Sequence, residues 1–406
     1  VALGLKVLIV GSDAMSFNGR IVKTRHRLNA LGADVQVMRL HLHSRANGFR
    51  KDDPGADLQA YASRLVLELL QVVPSSLARP IAFRSLLKDV FRHFNAVLPD
   101  ALHVMDPYAL KVAVLWKRQS GADTAIIFDA CEWFPGTAAA DAATGRYIQA
   151  LLSEFGPELS AWVCSSEALS KLYTDSYPEW PSPYLFGNVP DWDLSRPVQR
   201  TASPLRKTLG VVPEDIVLLF SGAFNRCRGI EALLRGASDL QPHTHLAFMG
   251  YGPLTDEIQS YANAHSNVHL IDAVAPTELQ AWLSGADAGL IPYQTDIANH
   301  RIATPNKLYE FPCAGVPLLS RDLPIIHNTI ITHGIGSVLD EPAWGGDTSD
   351  GAADFSIMTA RIRSFRRDED LDRRLFDFSR ISHDRLLGGL DAVYSGAENR
   401  TSSQQS

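Results

Sequence analysis

The chain has 406 residues, 46% of them apolar and 20% charged, and a formal net charge of −7. That length exceeds one usual core, so two domains are expected, and the mild acidity gives no global case for nucleic acid. The four cysteines, Cys131, Cys164, Cys227 and Cys313, stand far apart with no CxxC pair, which argues for a reducing compartment over a disulfide framework or a zinc site.

No apolar stretch approaches the roughly 20 residues needed to span a bilayer. VALGLKVLIV at the start is too short and too weakly basic for a signal peptide, and it runs straight into a strand-like pattern. A cytoplasmic location is therefore expected. Short apolar runs then recur at 6–12, 34–40, 101–107, 124–130, 161–167 and 184–188, most of them separated by stretches with helical spacing. A second set follows the same rhythm at 216–222, 245–252, 268–272, 288–293, 316–320 and 336–340. Continuous apolar strands alternating with helices predict parallel sheets covered on both faces. The stretch 176–204, dense in Pro, Ser and Asp, reads as a linker. The expected fold class is α/β, with two tandem Rossmann-like, doubly wound domains facing across a cleft. Domain boundaries are expected at 1–190 and 191–375, with a closing helix over 376–395 returning to the first domain and a disordered tail over 396–406.

Ligands of such sheets bind beyond the carboxyl ends of the strands, which directs attention to the residues after each run. Gly11 and Gly19 are too far apart for the dinucleotide fingerprint, which argues against a nicotinamide enzyme. Gly19, opening the next helix, would still let a phosphate or sugar approach backbone amides; a plain strand-to-helix loop explains it as well. Residues 83–97 place seven apolar side chains on one helical face beside Arg84, Lys88 and Arg92. That helix would either lie on an anionic membrane surface or cover the first sheet. Asp129 and Glu132 follow a buried strand and would orient hydroxyls, act as a base or cap the next helix.

In the second half, Arg226 and Arg228 flank a glycine-containing turn after Gly222, a sound arrangement for phosphate or simply a surface pair. MGYGPL adds a GxG turn around Tyr251, and Asp272 ends a further strand. In TPNKLYEFPCAGVPLLS, Thr304 is expected to cap a helix with Pro305 at its first position, and Gly315 to stop it. Lys307 then faces the positive end of the helix dipole, a penalty that an anion bound there would reverse; pairing with Glu310 three residues on is the other reading. The thirteen histidines form no HExxH, so no dedicated metal site is expected. His103 and His300 lie near enough to strand ends to reach the cleft.

SGAFN…RGI, MGYGP, VHLID, TELQAWLSGADAGLIPY and TPNKLYEFPCAGVPLLSRDLP stand in an order and spacing that resembles retaining glycosyltransferases of the GT-B fold, most of all glycosyltransferase family 4. The likeness is strong over 215–340 and looser through VLIVGS, HVMDP, FDACEWFP and GNVPD. It implies a carboxy-terminal domain that holds a nucleotide-sugar, UDP- or GDP-linked, and an amino-terminal domain that holds a hydroxyl acceptor: a glycan, a lipid-linked glycan or a small molecule. Carried over by position, Glu310 would bond the ribose and Arg228 the diphosphate. The backbone amides of Thr304 and Asn306, with Pro305 between them, would meet the distal phosphate, and residues near Asp272 would face the base. Gly19, Gly222, Arg226, Tyr251 and Lys307 complete the expected donor set, and Arg228, Asp129 and Glu132 are the expected catalytic residues. Three positions depart from the pattern: Ile302 where a second glutamate is common, Ala223 where an arginine is, and Cys131 where related sequences carry histidine. The resemblance implies front-face transfer with retention, needing no protein nucleophile, cofactor or metal, with peripheral contact at the inner membrane face through 83–97 as one option. A hydrolysing-type nucleotide-sugar epimerase and a degenerate, non-catalytic accessory protein are the alternatives.

Overall fold

The computed structural model describes residues 4–12, 19–41, 58–61, 87–136, 142–195, 199–346 and 351–402. The chain divides into two compact units, one formed by 1–187 with 387–406 and the other by 188–386.

In the first unit the apolar runs form strands β1 (Lys6–Ser12), β2 (Asp34–His41), β3 (Leu58–Tyr61), β4 (Ala101–Val104), β5 (Ala125–Ala130), β6 (Ala161–Cys164) and β7 (Tyr184–Leu185). They lie all parallel in the order β3-β2-β1-β4-β5-β6-β7. Val7 to Val10 are buried on both faces of β1, as a covered parallel strand requires. Helices α1 (Gly19–Ala30), α2 (87–97), α3 (Pro107–Ser120), α4 (Ala142–Phe155) and α5 (Glu167–Ser176) do the covering. α3 shows how local chemistry sets an element: Asp106 accepts from the amides of Tyr108 and Ala109, Pro107 opens the helix, and left-handed Gly121 closes it. β3 has no counterpart in the predicted strands, because four residues are too short a run to show a period.

α2 buries Val90 and Phe94, the latter edge-on to Trp116 at 5.3 Å, and leaves Lys88 and Arg92 exposed. Its apolar stripe thus packs within its own unit; residues 83–86 of the expected membrane-facing helix lie outside the described residues. No helix among the described residues is long and apolar enough to cross a membrane.

The stretch read as a linker is folded up to Gly187. Trp180 stacks on Tyr177 at 4.8 Å and meets Trp162 and Phe128 edge-on at 5.6 and 5.7 Å. The prolines 178, 181 and 183 are compatible with this because β7 is a two-residue edge strand that needs few ladder amides.

The second unit repeats the winding with β8 (Ile216–Ala223), β9 (Thr244–Tyr251), β10 (Val268–Asp272), β11 (Ala288–Ile291), β12 (Leu318–Ser320) and β13 (Gly336–Val338) in the order β10-β9-β8-β11-β12-β13. Its helices are α6 (Pro204–Leu209), α7 (Ile230–Arg235), α8 (Thr255–Ala264), α9 (Leu279–Leu283), α10 (Ala298–Ile302), α11 (Lys307–Cys313), α12 (Pro324–His333), α13 (Phe355–Phe365) and α14 (Leu371–Leu386). Just ahead of β11, buried Asp287 gathers Arg200, Arg206 and Arg366, whose remaining donors reach carbonyls of the same edge. α14 packs on α11, with Phe378 stacked on Tyr309 at 5.8 Å, so the helix from 371 onward belongs here. α15 (Gly388–Ser402) is the element that joins the first unit, through buried Leu390, Val393 and Tyr394 and an Arg27–Asp391 ion pair. It continues to Ser402, past the expected start of the tail at 396.

Candidate functional site

Strand order reverses between β8 and β11, so the loops leaving these neighbours diverge and open a crevice at the sheet's carboxyl edge. The turn after β8 is pressed against the exit of β11. Gly229, at φ +75°, lies so close that a Cβ there would come within 2.0 Å of the Pro292 carbonyl oxygen. Gln294 donates its amide to the Cys227 carbonyl across the same gap. Gly250, at φ +151°, allows an equally close approach of the turn after β9 to Gly222.

This backbone packing brings Arg228 over the ring of Tyr293, 4.5 Å from its centroid, and lets the guanidinium donate to the phenolic oxygen. Lys307 enters from the first turn of α11. Its Nζ sits 3.7 Å from the centroid of Phe220 and 5.0 Å from that of Tyr293. Lys307 is 5% exposed, Tyr293 2% and Phe220 0%. Burial pushes the Lys307 ammonium below its ordinary value; Tyr293 pulls it back and Arg228 pushes it down again. Burial would raise the Tyr293 hydroxyl, yet the Arg228 and Lys307 cations outweigh it and hold the group below the usual tyrosine range.

Among the described residues neither Arg228 nor Lys307 forms an ion pair; Glu310 contributes only the weakest of the fields acting on Lys307. Two cations, Lys307 buried and Arg228 half-buried, thus share one phenol without a carboxylate in contact among the described residues, an arrangement chemically suited to an anion. Gly222 borders the cluster: at φ +126° it takes a backbone conformation that favours glycine, and a Cβ there would be in ordinary contact with the Lys307 Nζ, at 3.8 Å.

The expected helix start needs correction. α11 begins at Lys307 with Asn306 as its N-cap, in helical backbone and with no side-chain cap bond. Pro305 therefore precedes the helix, and its carbonyl accepts from the Leu308 amide at 2.9 Å, a tight turn leading in. Thr304 is buried, and its carbonyl accepts from Asn188 Nδ2 at 2.7 Å. Gly315 closes the helix as expected, at φ +75°, with its amide on the Pro312 carbonyl. Glu310 lies half-buried one turn on, and Lys307 turns inward rather than along the surface toward it. Arg226 points away from Arg228: it is 76% exposed and 3.6 Å from Glu231. Tyr251 and Asp272 are exposed at the ends of β9 and β10.

In the first unit Asp129 ends β5, wholly buried, both oxygens 2.7 Å from Arg20 Nε. His103 Nε2 lies 3.4 Å from the same carboxylate, and its Nδ1 is 3.1 Å from the Tyr394 hydroxyl of α15. Burial would raise the Asp129 carboxyl, but Arg20 and His103 hold it below the ordinary range. Cast from sequence as catalytic, Asp129 is placed here as the shielded partner of an arginine. His103, at 0% exposure, is likewise taken up in this network. Glu132 is half-buried just beyond, its carbonyl accepting from Tyr173. Gly19 is exposed at the start of α1; residues 13–18 of its loop lie outside the described residues. Among the described residues no cluster of three or more His, Cys, Asp or Glu side chains could hold a metal ion.

Tyr293 and Phe220, whose rings receive the two cations, were not picked out by the sequence reading. The signal available was their place, one at the end and one near the end of an apolar run, but nothing local distinguishes a ring that packs from a ring that seats a cation.

No family model matches the chain. No curated protein matches it either. Among solved structures it is similar to sucrose-phosphate synthase from Thermosynechococcus elongatus, at 14% identity and TM-score 0.67, covering 99% of this chain and 100% of that one. It is similar to HepE from Anabaena, solved in complex with UDP and glucose, at 12% identity and TM-score 0.63, with 98% and 100% covered. A UDP-N-acetylglucosamine 2-epimerase matches at 13% identity and TM-score 0.54 over 92% and 91%. At these identities the likeness is one of fold: two tandem parallel-sheet α/β domains of the GT-B type.

Proposed function

We propose that the protein is a retaining glycosyltransferase that moves a sugar from a nucleoside diphosphate to a hydroxyl acceptor. The observation that carries this reading is the meeting of half-buried Arg228 and buried Lys307 on Tyr293, at the switch point of the second sheet. In this reading they hold the diphosphate, Glu310 takes the ribose hydroxyls, and the turns at Tyr251 and Asp272 border the base. The acceptor oxygen bonds to the anomeric carbon on the face the diphosphate leaves, the carbon–oxygen bond to phosphate breaks with its electrons going to the phosphate oxygen, and that oxygen takes the acceptor's proton. Arg228 and Lys307 stabilise the charge that develops there, in a site already shielded from water. Glu132 is proposed to orient the acceptor. Asp129 is proposed to act by holding Arg20. A cytoplasmic setting and UDP as the nucleotide are part of the proposal, the latter supported by the UDP in the HepE structure.

Thermal unfolding with UDP, UDP-glucose, GDP and GDP-mannose tests the reading. A raised melting point with one nucleotide pair is expected, because a ligand of the folded state stabilises it, and loss of that shift in Arg228→Ala; no shift with any of the four would sink it. The epimerase neighbour favours one second reading, epimerisation of the donor sugar itself. NMR of the donor incubated without acceptor separates the two, since only an epimerase converts it.

A further inference from the structure

His300 sits on α10, seven residues before Lys307, and is 7% exposed. Its ring lies against Tyr293, centroids 5.0 Å apart and planes at 35°. Nδ1 is 2.9 Å from the Gln294 carbonyl oxygen. A carbonyl only accepts, so Nδ1 carries the proton and the tautomer is set. Nε2, on the other side of the ring, then has a lone pair and makes no hydrogen bond among the described residues. Burial pushes the imidazole below its ordinary value, with Arg228 adding to that against the pull of the Gln294 bond and Asp296, so the ring is neutral at pH 7.

The surroundings of this lone pair give it meaning. Arg228 and Lys307 are donors only, and they suit an anion. His300 shares the Tyr293 ring with both of them, and its lone pair suits the opposite: a bare phosphate would be repelled by it. This set of side chains therefore fits a ligand that carries an O–H donor next to its anionic group.

We infer that His300 Nε2 is the acceptor for a hydroxyl of the sugar attached to the diphosphate, and so distinguishes a glycosyl diphosphate from a plain nucleoside diphosphate. The inference rests on the donor reading proposed above and adds the group that senses the sugar.

Calorimetric titration of wild type, His300→Ala and His300→Gln with UDP and UDP-glucose, and with GDP and GDP-mannose, tests it. In His300→Ala the ratio of nucleotide-sugar to nucleotide affinity should fall by about three- to tenfold, the worth of one neutral hydrogen bond, with nucleoside diphosphate affinity held within about twofold. Glutamine keeps a neutral acceptor at the reach of Nε2 and should restore the ratio in part. Equal weakening of both ligands would make His300 a packing residue and overturn the inference, as would an unchanged ratio or a wild type that gains nothing from the sugar. A wild type that binds neither nucleoside diphosphate would instead overturn the donor reading, and this inference with it.

Discussion

Both sheets carry buried charge near their carboxyl edges, but they balance it differently. In the first unit Arg20 meets Asp129 with His103 behind it, a cation and an anion closed on each other with neither exposed beyond 1%. In the second, Arg228 and Lys307 meet, among the described residues, a phenol and ring faces and no carboxylate. A compensated pair is an internal fastening: each charge is already solvated by its partner, so a ligand would have to displace one of them. An excess of like charge is held at a cost in the empty protein and is relieved by an incoming anion. The contrast separates what stabilises this chain from what it offers to a substrate.

The largest effect expected on breaking this contrast is in the first unit. Asp129→Ala removes the carboxylate that solvates the Arg20 guanidinium and should destabilise the fold by about 3–5 kcal/mol, read from denaturant unfolding of the full chain. A loss below about 1 kcal/mol would mean that Arg20 finds other solvation, and the fastening account would fail. Lys307→Met is the matching change in the second unit. Stability should stay within about 1 kcal/mol or rise, because a buried like charge is gone, while affinity for the nucleoside diphosphate drops roughly 10- to 100-fold. A variant that unfolds with its affinity intact would reverse the assignment. Glu310→Ala should cost a further, smaller factor of about ten in donor affinity through the lost ribose contact, with no change for inorganic pyrophosphate; calorimetry with both ligands checks this.

Acid should sharpen the comparison most gently. His269, 3.0 Å from His245, is pushed down to about 4 by burial and by that neighbour, and His245, His300 and His333 shift the same way. A histidine kept neutral in the fold charges first in the unfolded chain, so the second unit loses stability as pH falls from about 6.5 toward about 4. Asp129 is shifted downward from 3.8, so the stability it provides is intact above that value and is lost only below it. Scanning calorimetry at stepped pH should show the second unit weakening first, and His269→Gln should flatten that dependence. A first unit that softens earlier would contradict both shifts.

Much of the architecture is legible in the order of the residues. The covered strands of both units are written as unbroken apolar runs, and their alternation with helical spacing is a local property, so the doubly wound halves follow from neighbouring residues alone. The residues proposed to hold the donor are equally local: Arg228 follows a strand at a glycine turn, and Lys307 and Glu310 share the start of one helix. Where those side chains go is not legible there. Lys307 has an exposed route toward Glu310 and a buried one over Phe220 and Tyr293, and only the pressing of Gly229 onto Pro292, which aligns two loops far apart in sequence, closes a cage around the second. Asp129 and Glu132, three residues apart after one strand, look alike on paper; Arg20, reached only through the pairing of β1, β4 and β5, is what makes one of them structural. The end of the first unit is a similar case, since Trp180 can be counted as core only once Tyr177, Trp162 and Phe128 are beside it. Periodicity and turn chemistry act over a few residues and determined the elements. Burial, and with it the fate of every charge, depends on partners brought together by the fold, and was decided there.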